Sequence, residues 1–263
     1  KIDTEMQKVA KTFERFRQLQ LSQDAENMQA FKDAKQELND RLAQLNDLLN
    51  RRLYTSTTGN ILAKGKEKYN AFLASHQPFH WLAEYYQIIH GNGGFDVIIG
   101  NPPYVSMADI SYLKNSDVFR CSDLYGFVIK RVFEILRRSG KHGFVVMHNL
   151  AFSRNFKDVR KLLLSHVGSQ WYSFYSRIPS GLFSGDVRVR NCIYIVSNTG
   201  ETKYTSQLNR WFTEQRDNLF ISQYNYHEFA IEDSIPMLYD TKLQLIYENK
   251  EGVPIGLCKD SQG

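Results

Sequence analysis

The segment GFDVIIGNPPYV, residues 94–105, sets the architecture of everything around it. Phe95–Gly100 is short, apolar and rich in β-branched residues, which reads as a buried strand. Pro102 and Pro103 follow almost at once. Each fixes φ and gives up a backbone donor, so the strand must stop and a stiff loop must begin. Downstream, residues 124–136 place apolar side chains at helical spacing. Residues 139–143 (SGKHG) read as a turn, and 144–147 (FVVM) as a second buried strand. Residues 156–166 read as a helix, 170–176 as a third strand and Asn191–Val196 as a fourth. Strands alternating with helices predict an α/β layer fold with parallel pairs.

Upstream the pattern is different. Ile2, Met6, Val9, Phe13 and Phe16 form one helical stripe. It breaks near Leu21, where Ser22 or Asp24 can cap a second helix. Phe31, Ala34, Leu38, Leu42, Leu45 and Leu49 resume the stripe, so two helices are expected to pack along each other. Residues 55–60 (TSTTGN) read as a loop. The tail after Asn198 is polar and weakly periodic, and is expected to be a connector.

Composition removes several function classes. No apolar run approaches the roughly 20 residues of a membrane-spanning helix. The charged opening KIDTEMQKVAK is no signal peptide. Cys121, Cys192 and Cys258 are far apart and form no CxxC pair, which argues against a disulfide framework or a zinc knuckle. The expectation is a cytoplasmic protein with no membrane partner. The first residue is Lys1, not Met, and a piece of a longer polypeptide is expected. The net charge of +5 is unevenly placed: residues 105–190 hold fourteen Lys/Arg against six Asp/Glu, a balance of +8, while 191–263 carry −4. A basic middle suits a polyanion.

In a parallel sheet, ligands bind at the carboxyl ends of strands, and Asn101-Pro102-Pro103-Tyr104 stands there. The Asn101 side-chain oxygen and the Pro102 carbonyl can each accept a hydrogen from an exocyclic NH2. Tyr104 can stack on a planar ring. The same segment resembles motif IV of the N6-adenine DNA methyltransferases. Residues 80–89 (HWLAEYYQII) resemble what precedes that motif in large fused restriction–modification polypeptides, of the type IIG or single-chain type I-like kind. Residues 123–136, 140–152 and 178–196 resemble the following segments in order, a gamma-type arrangement. The resemblance covers 80–198.

It implies a partial Rossmann-like methyltransferase sheet, the catalytic half, with an N-terminal helical arm. Residues 1–60 would be the arm, 61–198 the catalytic half, and 199–263 a connector toward a target-recognition domain. Residues 234–250 weakly resemble that junction. It also implies methyl transfer from S-adenosylmethionine to an adenine flipped out of double-stranded DNA. Asn101, Pro102, Pro103 and Tyr104 would be catalytic, with Tyr104 and Phe183 stacking on the base. Lys114, Arg120, Arg154, Lys157, Arg160, Lys161, Arg188 and Arg190 would meet phosphates. Cofactor contacts from this chain would be Asn101, Pro102, Leu124 and Phe127. The main glycine-rich cofactor turn is expected upstream, because residues 1–90 contain no strand to carry it and Gly91–Gly94 precedes one. Alone, the chain is expected to be inactive. A half-sheet of about four strands would leave Phe95–Gly100 at an edge, shielded by residues 1–60 or a neighbouring molecule.

Two other readings use the same residues. One is methylation of another planar amine or amide, an RNA base or a protein glutamine. The other is a non-catalytic module binding DNA or a partner. His142 and His148 read as core or surface histidines, and Pro78 argues against a metal pair at His76 and His80. Asp96 reads as a partly buried structural carboxylate. No metal is expected.

Overall fold

The computed structural model describes residues 2–21, 28–59, 66–110, 121–183, 189–220, 225–230 and 233–238. It divides into two units, Lys1–Phe95 and Asp96–Gly263.

In the first unit the two apolar stripes meet. Helices α1 (Ile2–Leu21) and α2 (Met28–Thr58) bury Val9, Leu38 and Leu45, with Ile2, Met6, Phe13, Phe16, Leu42 and Leu49 against them. Phe16, near the end of α1, stacks on Phe31, near the start of α2, so the pair is antiparallel. The expected caps at Ser22 and Asp24 lie outside the described residues. The loop expected from Thr55 begins later: α2 runs on to Thr58. There the hydroxyls of Thr55, Ser56 and Thr58 donate back to the carbonyls of Arg51, Leu53 and Tyr54, within the helix. Gly59 then takes φ +67° and closes the helix by donating to the Thr55 carbonyl. Helix α3 (Lys66–His76) adds Tyr69 and Phe72 around Tyr54. The short α4 (Trp81–Glu84) is held to α2 by Asn46 Nδ2 donating to Glu84 Oε1 at 2.8 Å.

The second unit is an α/β layer. Its sheet has the order β1-β2-β4-β3-β5-β6 among the described residues. The strands are β1 (Phe95–Gly100), β2 (Leu136–Met147), β3 (Gln170–Tyr175), β4 (Asn191–Val196), β5 (Lys203–Asn209) and β6 (Tyr226–Glu228). Helices α5 (Leu124–Ile135) and α6 (Lys157–Leu164) connect β1 to β2 and β2 to β3. β1 runs parallel to β2: Asp96, near its start, pairs with Arg137, and a Cβ at Gly100, its end, would meet Phe144. β3 and β5 are also parallel. β4, however, is antiparallel to both β2 and β3.

The strand register builds the core row by row. Phe144, Tyr194 and Tyr172 face one another across three strands, as do Val146, Cys192 and Phe174. These point to the face covered by Tyr125, Ile129 and Val132 of α5 and Val159, Leu163 and Leu164 of α6.

Four expectations need correction. The turn at 139–143 is strand, because β2 runs unbroken through it. Its Gly143 serves close approach, since a Cβ there would sit 2.9 Å from the Tyr194 carbonyl oxygen. The tail after Asn198 is more than a connector: β5 and β6 extend the expected four strands to six. β5 alternates too weakly to read as a strand, because it buries polar Thr205 and Ser206. β1 is at the sheet edge, as expected, but is not buried: Val97 and Ile99 are 57% and 78% exposed. Asp96 is exposed too, held by Arg137 at 2.6 Å and not by burial.

A third core row sets two polar residues, His142 and Gln170, on either side of Val196. Gln170 is satisfied: its amide Nε2 donates to the Leu163 and His166 carbonyls, and Oε1 accepts from Tyr172 Oη. His142 is buried among Phe133, Phe144, Tyr194 and His166, and neither ring nitrogen has a hydrogen-bond partner among the described residues. Burial first, and the His166 charge second, push its pKa down to about 4. The unfolded chain therefore binds a proton that the folded chain refuses between pH ~6.5 and that value. Stability should fall as pH drops through this window, by at most about 3 kcal/mol from this residue. His142→Leu should flatten the dependence in denaturant titrations run across pH 4–7. An unchanged slope would rule His142 out as its source.

Candidate functional site

The site forms where the strands end. Pro102 is buried, while Asn101 and Pro103 are exposed, so the loop after β1 is anchored at one proline. Tyr104 is half-buried and tied at its tip. Its Oη donates to the Val145 carbonyl of β2 at 3.0 Å and accepts from Asn191 Nδ2 of β4 at 3.3 Å. Burial pushes the phenol pKa up to about 12, with the Asn191 bond opposing. Tyr104 is therefore a neutral hydroxyl that can donate. Its ring meets Tyr125 of α5 at 75°. Tyr125 in turn stacks on Phe156 at 4.8 Å and donates to Asn149 Oδ1 at 2.9 Å.

The loop is stitched to the start of α5 by backbone. Leu124 N–H donates to the Val105 carbonyl and Met107 N–H to the Ser122 carbonyl, both at 2.8 Å, and Ser106 bridges Asp123. Burial raises the Asp123 pKa, while Ser122 Oγ, donating at 3.0 Å, opposes. Gly126 permits this contact, since a Cβ there would lie 2.5 Å from Cys121 Sγ. Burial pushes the Cys121 thiol up to about 11, so it is no nucleophile near neutral pH.

At the same end of the sheet lies a cavity of about 360 Å³ lined by Met147, His148, Asn149, Arg177, Val189 and Arg190. These residues end β2, follow β3 and precede β4. His148 N–H donates to the Arg190 carbonyl at 3.0 Å. Burial, and then the Arg190 charge, lower the His148 pKa. After β3 the loop is held by Arg216, whose guanidinium donates twice to the Leu182 carbonyl, at 2.7 and 3.3 Å. Phe183 follows, half-buried.

Of the residues expected from sequence, Asn101, Pro102, Pro103 and Tyr104 stand at the carboxyl end of β1. Leu124 and Phe127 are half-buried on the first turn of α5. Arg154 and Lys157 are exposed after β2, at the same end of the sheet, and Lys161 is exposed on α6. Arg190 lines the cavity. Lys114, Arg120 and Arg188 lie outside the described residues, as does most of the 234–250 junction. Arg160 is a correction: it is 5% exposed and so unable to meet a phosphate. Its guanidinium donates to the carbonyls of Leu150, Ser153 and Asp233, at 3.0, 2.6 and 2.9 Å. The helical spacing of α6 turns it inward, beside Val159 and Leu163. His76 bonds to its neighbour Ser75 and His80 to Asn50 of α2. Among the described residues no three His, Cys, Asp or Glu are placed to hold a metal ion. Nor is any helix among them long and apolar enough to cross a membrane.

Sequence reasoning missed Asn149, Asn191, Arg177 and the cavity role of His148. Their signal was position: each stands within two residues of a strand end. Which ends coincide depends on strand order, which a sequence does not display.

Comparison with known proteins bears on this geometry. Residues 3–177 match the family described as Eco57I restriction-modification methylase. A Methanocaldococcus jannaschii protein named as a type II restriction enzyme and methyltransferase is 31% identical over 123 residues, 46% of this chain and 10% of that protein. The chain thus spans about a tenth of that relative's length. Two solved structures are distantly similar, each at 14% identity. A DrdV–DNA complex gives a TM-score of 0.41, with 51% of this chain and 17% of that one covered. A type I restriction enzyme modification subunit from Vibrio vulnificus gives 0.38, with 52% and 34% covered.

Arg160 offers a direct check on the scaffold beneath the site. Arg160→Met keeps the length of the side chain but leaves three carbonyls without their charged donor. It should destabilise the fold by about 3 kcal/mol, measured by urea titration. A loss below about 0.5 kcal/mol, as for an exposed arginine, would contradict the buried clamp.

Proposed function

The chain belongs to the Eco57I restriction-modification methylase family, and from that premise we propose that it carries the catalytic part of a DNA methyltransferase acting on the N6 amino group of adenine. The observation that carries this reading is the Asn101–Tyr104 loop. It stands at the carboxyl end of β1, stiffened by two prolines and tied through Tyr104 to β2 and β4.

In this reading the target adenine leaves the stack and enters the site. The Asn101 side-chain oxygen and the Pro102 carbonyl accept its two amino hydrogens. Tyr104 and Phe183 stack on its ring, worth ~1–3 kcal/mol for a base on an aromatic platform. With its hydroxyl held at both ends of one hydrogen-bonded chain, Tyr104 is set in place before substrate arrives. That lowers the ordering cost of binding. Lys114, Arg120, Arg154, Lys157, Arg188 and Arg190 meet the phosphates of double-stranded DNA.

S-adenosylmethionine supplies the methyl group, on a positively charged sulfur. Direct displacement needs alignment and charge placement more than a nucleophilic side chain, and the raised Cys121 thiol fits that. This chain offers part of a site for such a cofactor: Asn101, Pro102 and the half-buried apolar Leu124 and Phe127 on the first turn of α5. The rest of the cofactor half and a target-recognition domain belong, in this reading, to other parts of a longer polypeptide. Two observations support that. Among the described residues β1 is an edge strand open to further pairing, with Val97 and Ile99 leaving one of its faces apolar and uncovered, and the chain spans a tenth of its named relative.

Asn101→Ala in the complete enzyme tests the reading. Incubated with labelled S-adenosylmethionine and unmethylated bacterial genomic DNA, the parent enzyme should yield N6-methyladenine by nucleoside mass spectrometry. The variant should lose at least about a hundredfold in rate while still binding DNA. Label in RNA or protein instead, or normal methylation by the variant, would overturn it.

A further inference from the structure

We infer that the cavity at the ends of β2, β3 and β4 is a phosphodiester subsite, in which Arg177 and Arg190 grip a backbone phosphate adjoining the extruded adenosine. The inference rests on the adenine-methylation reading above and adds to it a location and a new residue, Arg177.

The polar part of the lining is rich in donors. Among the described residues it holds two guanidiniums and no carboxylate. Among the other described arginines of this unit, Arg131 and Arg137 pair with acids, and Arg160 and Arg216 bond to carbonyls. Arg177 and Arg190 are exposed and have no ion pair among the described residues. Asn149 Oδ1 already accepts from Tyr125 Oη, so its Nδ2 hydrogens are what remain to donate. Burial and the Arg190 charge both favour the neutral form of His148, which keeps one ring N–H to donate. Fixed positive charge together with neutral donors selects an anion, and the planar guanidinium suits phosphate oxygens.

The remaining lining, Met147 and Val189, is apolar. It suits the carbon face of a sugar. The volume of about 360 Å³ admits a sugar-phosphate and not merely an ion.

Position points to the strand next to the target base. Arg190 immediately precedes Asn191, whose amide holds the Tyr104 hydroxyl. Met147 is the register partner of Asn191. The cavity therefore begins one residue from the tether of the ring proposed to stack on the adenine. Whatever sugar-phosphate is attached to that base must occupy space beside the ring. The backbone bond from His148 to Arg190 ties the arginine's main chain to the end of β2, so the cation is delivered by the rigid sheet.

The test uses the complete enzyme and a duplex carrying the site that the parent enzyme methylates in genomic DNA. In separate duplexes, each phosphate flanking the target adenosine is replaced by an uncharged methylphosphonate. Arg177→Ala and Arg190→Ala should each weaken binding about tenfold. Each should also make the dependence of log K on log salt shallower by about 0.9. One methylphosphonate should weaken the parent enzyme equally, and should add nothing to the loss in either variant. Both arginines are exposed, so melting temperatures should not change.

Unchanged salt slopes, or losses that multiply at both flanking phosphates, would overturn the subsite. So would tight competition by inorganic phosphate together with indifference to both methylphosphonates, which would mark a free-anion site. N6-methyladenine formation by the parent enzyme on the same duplex is measured alongside. Its absence would defeat the methylation reading itself, whereas its presence with unaffected arginine variants would defeat the subsite alone.

Discussion

β4 enters the sheet between β2 and β3 and runs against both. That single reversal brings the amino end of β4 to the carboxyl ends of its neighbours. Asn191, its first residue, is thereby opposite Met147 and Tyr175, the last residues of β2 and β3. From there its amide reaches Tyr104, and Arg190 reaches the cavity. Had β4 been parallel, its first residue would lie at the far end of the sheet, roughly 17–20 Å away for a strand of this length. The loop after β1 would then lack one of its two anchors.

Rigidity at the site comes from both chain and contacts. The prolines restrict the loop before it makes any contact. The Tyr104 hydroxyl then links strands that are themselves linked by ladder bonds. Behind it, Tyr125, Phe156 and Asn149 form a second chain from α5 to the end of β2. Arg160 fastens the segment after β2 to residues near Asp233. The polar groups serving this scaffold are mostly satisfied, and that is where they hold most stability. His142, Tyr194 Oη and Asn191 Oδ1 are buried without a hydrogen-bond partner among the described residues. Desolvation there is not repaid by a bond, and for His142 it appears as a strongly lowered pKa.

The edge strand shows how one pattern can carry two meanings. Phe95–Gly100 is as apolar as a buried strand, yet Val97 and Ile99 face outward. Apolar composition states what a strand is suited to touch. It does not state whether this stretch of chain supplies the touching surface. The same holds for β5, where Thr205 and Ser206 are buried in a strand whose sequence looks like tail.

Several features were determined by sequence alone, because each depends on neighbours a few residues away. The stripes of α1 and α2, the helical spacing of α5, the alternation of β3, the apolar run of β4 and the halt at Pro102 and Pro103 are local. So was the character of the tetrapeptide Asn101–Tyr104 as a stiff, amide-and-ring-bearing loop. Tertiary structure decided what depends on distant pairing. It made strand of 139–143, because Gly143 admits the β4 backbone. It turned Arg160 inward, where three carbonyls hold it. It brought Tyr104 to Asn191, 87 residues apart in the chain, and set Arg177 and Arg190 around one cavity. Local spacing shows which face of an element is apolar, but only the order and direction of the strands determine which strand ends meet.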